Sequence, residues 1–228
     1  MKTITENMTL GEVVVEVPKS SDILRELHID FVNHGHQQLG DAAFERGLPI
    51  ENILYEINEL DTENTDGIDI KYMDEISIIK YIQRRYHEDL KDELPVLEPY
   101  IEKMVKQESG LGEVMDIFRS LKKSLLEHIE EEDASVFPLL ESYIGSPSES
   151  KKEALRPRVT KIKNEHRDVT EFFYRLREVT NDFTPHEGAS GVLRLVYDRL
   201  GRLESDTLDH IHLENNILFE RVNNPSLK

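Results

Sequence analysis

No cysteine occurs among the 228 residues. Disulfides, zinc ribbons, cysteine-ligated iron–sulfur clusters and thiolate nucleophiles are therefore excluded. Positive charge is scarce too. Lysine and arginine number 28 against 46 aspartates and glutamates, for a formal net charge of -18. With no basic patch to offset that field, the chain is expected to repel nucleic acid and anionic membrane surfaces. No apolar run approaches the ~20 residues of a membrane helix. The opening MKTITENMTLGE lacks the apolar stretch of a secretory signal. The expected location is cytoplasmic. Segments with strand periodicity are missing as well.

What remains is helical. Hydrophobic residues make up 38% and charged residues 32%, a balance suited to long helices with one wet face. Asp61–Gly67 is polar, acidic and full of turn formers, and divides the chain. Ahead of it, Thr9 is expected to cap a helix through Val17, with Glu12 completing a capping box and Pro18 stopping it. Short helices follow over Asp22–His28, Leu39–Arg46 and Pro49–Leu60. After the divide, four long helices are expected over about Met73–Gln107, Gly112–Tyr143, Ser148–Phe183 and Ala189–Val222. Ser109-Gly110, Gly145-Ser146-Pro147 and Thr184–Gly188 separate them. Pro95 and Pro99 should kink the first. The fold expected is all-α, an up-down-up-down four-helix bundle over 73–228 preceded by a small helical domain over 1–62 and a linker over 63–72. The small apolar core of the N-terminal part suggests a homodimer.

The bundle repeats itself. His128 is followed by Ile129, then Glu132 at +4 and Phe137 at +9; His210 is followed by Ile211, Glu214 and Phe219 at the same offsets. Upstream stand His87, in Tyr86-His87-Glu88-Asp89, and His166, in Glu165-His166-Arg167-Asp168. They lie 41 and 44 residues before their partners. Residues four apart share a helix face, about 5–6 Å from one another. Two helix pairs related by a pseudo-twofold thus offer four imidazoles and two carboxylates to one interior. A single H-x-x-x-E is ordinarily a surface pair, and Glu130–Glu132 alone reads as a solvated face. Ligand-type residues in repeated register on all four helices are not explained that way. Imidazole and carboxylate without thiolate suit iron, manganese or zinc rather than copper(I). His28 reads as a cap or surface residue and His186 as part of a turn. His212, about 200° around the helix from His210, reads as a surface residue or a support behind the ligands.

At these residues the sequence resembles the hemerythrin-like family and its H-HxxxE-H-HxxxE pattern. More narrowly it resembles the RIC family, for repair of iron centres, with its short N-terminal domain of the ScdA type. The resemblance covers nearly the whole chain, most specifically in His128–Pro138 and His210–Phe219. It implies a non-haem di-iron centre with His87, His128, Glu132, His166, His210 and Glu214 as the ligands, and with the two glutamates and an oxo group as bridges. Family members carry a Cys-Cys motif after Ile-Asp-Phe; here Ile29-Asp30-Phe31 is followed by Val32 and Asn33, and Ser190 takes a third cysteine position. A thiol step through the N-terminal domain is therefore in question. His34 and His36 are candidates for a replacement metal contact, against a plain turn around Gly35. Oxygen-carrying hemerythrins have a second His where Thr170 stands and an Asp at +5 where this chain has Glu214 at +4. One imidazole fewer leaves room for an exogenous ligand and argues against oxygen storage. Tyr86, Glu88 and Glu165 are candidates for tuning the ions. The function implied is repair of iron–sulfur clusters damaged by nitrosative or oxidative stress, through binding and donating two irons to the damaged proteins. The alternatives are reduction of nitric oxide or peroxide at the centre, or a sensor that binds nitric oxide or oxygen.

Overall fold

The structure, a computed structural model, describes residues 3–60 and 70–223. The acidic stretch read as a divide lies outside them, and of the expected linker only a single tight turn, Ile70–Tyr72, is described. By packing, the chain divides into two compact units, Met1–Ile78 with Ile211–Lys228, and Ile79–His210. The described residues contain no strand, only one isolated bridge between Thr9 and Gln38. None of their helices is long and apolar enough to cross a membrane.

In the first unit, α1 (Leu10–Glu16) starts as the capping box requires: Thr9 Oγ1 accepts from the Glu12 amide, and the Thr9 amide donates to the Glu12 carboxylate. α2 (Ser20–Glu26) ends at His28, whose left-handed φ of 56° lets the Ile29 amide reach back to the Leu24 carbonyl at 2.8 Å. The cap reading of His28 therefore holds. α3 (Leu39–Glu45) stops at Gly47, also left-handed, and α4 (Ile50–Asn58) follows. Leu10, Val13, Leu24, Phe31, Leu39 and Ile57 form the core. Asn215, Asn216 and Arg221, late in the described residues, are tied into this unit. Asn216 donates to the Phe31 carbonyl at 3.0 Å, Asn215 to that of Val32 at 3.2 Å, and Arg221 to that of Met73 at 2.6 Å. Gly35 sits so close that a Cβ there would lie 2.1 Å from Asn216 Oδ1.

The four long helices are present, three of them interrupted. α5 (Glu75–Ile82) passes through a π turn, Gln83–His87, into α6 (Glu88–Gln107). α7 (Gly112–Glu131) passes through Glu132–Val136 into α8 (Phe137–Gly145). α9 (Glu149–Thr180) is continuous, and α10 (Gly191–His212) passes through Leu213–Leu218 into α11 (Phe219–Asn223). Val114, Phe118, Leu121 and Leu125 recur at three- and four-residue steps on the buried face of α7. In the second unit α6 packs on α7 and α7 on α9. α10 closes the ring of four. Arg199 makes two bonds to Glu93 of α6, at 2.7 and 2.6 Å, and Arg177 of α9 makes two of 2.7 Å to the buried Glu204. Pro95 and Pro99 stay within α6 on its exposed side, where water can serve the carbonyls they leave unbonded.

Candidate metal centre

Each of the four helices of the second unit turns one histidine inward: His87, His128, His166 and His210 are all buried. They meet as two pairs. His87 Nε2 lies 3.1 Å from His210 Nε2, and His166 Nε2 lies 3.1 Å from His128 Nε2. Glu132, with no exposed surface, sits between the pairs, its Oε2 at 3.4 Å from His87 Nε2 and 3.3 Å from His128 Nε2. Glu214, also fully buried, follows His210 by one helical turn on the same helix. Two ligand atoms bound to one ion at about 2.1 Å and at right angles to each other are about 3.0 Å apart. The spacing within each imidazole pair is therefore the spacing that a shared cation imposes, and the donor set suits iron. Leaving a carboxylate this deeply buried is costly without a cation to balance it.

Two carboxylates orient the rings from behind. His87 Nδ1 donates to Asp133 Oδ1 at 2.8 Å, and His128 Nδ1 to Glu165 Oε2 at 2.9 Å. With the proton held on Nδ1, the Nε2 lone pair is left facing the centre. Burial opposes charge on the His87 ring, but the hydrogen bonds to Asp133 and Glu132 outweigh it and raise its pKa. Burial likewise acts against ionised Asp133, yet His87, Lys91 and Gln83 hold its carboxyl far below the usual range. The bond from His128, helped by Lys161, holds Glu165 low. Rings wall the His87–His210 pair: Phe137 stacks on His87 at 5.6 Å and Tyr86 on His210 at 5.4 Å.

Of the residues thought to tune the centre, Glu165 and Tyr86 touch ligands, while Glu88 is exposed. Asp133 escaped the sequence reading because it closes a run of four acids, Glu130–Asp133, with nothing local to single it out. The π turns were missed as well. Two of them occupy equivalent places in the repeat, from Glu132 to Val136 and from Leu213 to Leu218, directly before Phe137 and Phe219. Thr170 donates its hydroxyl to the His166 carbonyl at 2.8 Å. His34 and His36 do not come together; one faces Asp30 and the other Glu220, and both are exposed. His212 is not a surface residue. It is buried in the first unit beside Phe31, at 5.9 Å between rings, and burial pulls its pKa down to about 4. His186 is exposed in its turn, against Glu108.

Residues 79–222 match the hemerythrin HHE cation binding domain. The chain belongs to the hemerythrin HHE family. Residues 6–61 match a second family, the ScdA_N domain, described as a domain of unknown function. The similar proteins of this family include the iron-sulfur cluster repair protein ScdA of Staphylococcus haemolyticus, 33% identical over 96% of this chain and 99% of that one. ScdA of Staphylococcus epidermidis is 34% identical with the same coverage. The iron-sulfur cluster repair protein YtfE of Pectobacterium atrosepticum is 27% identical over 95% of this chain and 96% of its own.

Proposed function

We propose that this HHE protein is a non-haem di-iron protein that repairs iron–sulfur clusters damaged by oxidative or nitrosative stress, by binding iron and donating it to the damaged proteins. The observation that carries the reading is the pair of imidazole couples, each with Nε2 atoms 3.1 Å apart, on either side of one buried carboxylate. One ion would take His87 and His210, the other His128 and His166, with Glu132 and Glu214 serving both. Bound iron would supply redox chemistry and the cargo itself. The chain's own residues do the rest. Asp133 and Glu165 fix the tautomers, and the bundle core around Leu121, Leu125 and Ile162 keeps water from the ligands. The names of the similar proteins support the choice of damaged iron–sulfur proteins as acceptors.

Donation is tested by mixing the ferrous protein with an iron-depleted iron–sulfur acceptor and following iron in each after separation. The expected outcome is loss of iron from this protein and regained acceptor activity. Iron that stays put while the acceptor remains inactive would sink the donation reading.

A further inference from the structure

Beside the ligands stands a column of rings. Tyr86 lies face-on to His210, with centroids 5.4 Å apart and planes at 10°. Tyr81 meets Tyr86 edge-on at 5.8 Å and 89°. His210 has no exposed surface, Tyr86 is nearly buried and Tyr81 half-buried, so the column leads from ligand to solvent. Tyr86 also lines a groove of about 450 Å³ with Arg85, Glu93, Arg199 and Leu203. The matching wall on His87 is Phe137, stacked at 5.6 Å and 11°. A phenyl ring therefore suffices for packing in this setting, and the phenol of Tyr86 is an addition. In the repeat, Tyr86 stands where the second half has Glu165. The chain has neither cysteine nor tryptophan, so tyrosine is its side chain best able to give up one electron together with one proton.

We propose that Tyr86, backed by Tyr81, is a radical sink that protects the histidine ligands when the centre holds one ferrous ion and meets hydrogen peroxide. The proposal rests on the donation reading, in which a one-iron form must occur while oxidant is present. Reducing one hydrogen peroxide to two waters takes two electrons and two protons. One electron comes from the ferrous ion, which becomes ferric. If no second donor is near, the products are hydroxide and a hydroxyl radical, which attacks the closest imidazole. Tyr86 supplies the second electron and its phenolic proton, and solvent supplies the other proton. The products are two waters, a ferric ion and a neutral tyrosyl radical. Transfer of a hydrogen atom from Tyr81 then moves the radical toward the surface.

The test loads the full-length protein anaerobically with one ferrous ion per chain, verified by elemental analysis, adds one equivalent of hydrogen peroxide and freezes the sample. Electron paramagnetic resonance should show a tyrosyl signal in the wild type that is lost in Tyr86→Phe. Peptide mass spectrometry should show oxidised His210 and His87 rising in that variant. Tyr81→Phe should keep the signal but slow its decay, and Tyr72→Phe, at an exposed residue outside the column, should change nothing. Absence of the radical in the wild type, or its persistence in Tyr86→Phe, would overturn the proposal. Iron transfer to an acceptor is followed on the same preparations. Transfer without a radical removes the sink alone, whereas a radical without transfer removes the donation reading and leaves the sink standing.

Discussion

Asp133 shows how much one residue behind a ligand can carry. Its carboxylate takes the Nδ1 proton of His87 and is itself held by Lys91 at 2.8 Å and Gln83 at 3.0 Å. Asp133→Asn keeps the shape but weakens control of the tautomer, and should lower metal affinity about 10–100-fold. Competition with a chelator would measure it, and an unchanged affinity would count against the orienting role. Gly35 is a residue-scale constraint of another kind. Alanine there would force Asn216 away from the Phe31 carbonyl and from His212. Loss of these bonds, at about 0.5–1.5 kcal/mol each, should appear as a lower urea midpoint for Gly35→Ala. The effect should shrink when Asn216 is already alanine. The six ligand candidates were legible in the sequence because the repeat set them in register. Asp133 and the burial of His212 were not, since each depends on a neighbour distant in sequence.

At the scale of elements, the caps were readable and the helix interruptions were not. Thr9 and Glu12 form the capping box that their spacing predicts, and Thr9→Ala should cost about 1 kcal/mol by chemical denaturation. The π turns follow from no residue type in particular. They lodge an extra residue per turn where the ligands need turning inward, a local cost met by tertiary packing. The closing contact between α9 and α10 is equally a matter of packing. Arg177 neutralises the buried Glu204 and also bonds Asp182, in a turn where Asn181, Asp182 and Phe183 all have positive φ. Burial works against the charge on Arg177, but Glu204 and Asp182 raise its pKa regardless. Arg177→Met would strand the carboxylate and should cost about 3–5 kcal/mol. The double variant with Glu204→Leu should recover much of that loss, and failure to recover would mean that the arginine acts mainly on the turn.

For the whole molecule, metal and stability should be linked. If the folded bundle alone binds the ions, each ion present at a hundred times its Kd adds about 2.7 kcal/mol. At about 2–4 °C per kcal/mol for a domain of this size, stripping both should lower Tm by roughly 10–20 °C. Calorimetry on loaded and chelated protein would read this directly, and coincident melts would show that the bundle does not bind the ions selectively. The sequence by itself determined the helical class, the helix ends marked by glycine, proline and caps, and the repeated register of histidine and glutamate, because these depend on chain-local geometry and periodicity. Only the tertiary structure decided that His87 pairs with His210 and His128 with His166, that Asp133 rather than Glu88 supports a ligand, and that Asn215 and Asn216 are fastened to the loop at Phe31. Each of these joins residues far apart in sequence, and the physical reason is the same: side-chain hydrogen bonds and buried charges are assigned by which helix faces meet, and helix periodicity alone leaves that choice open.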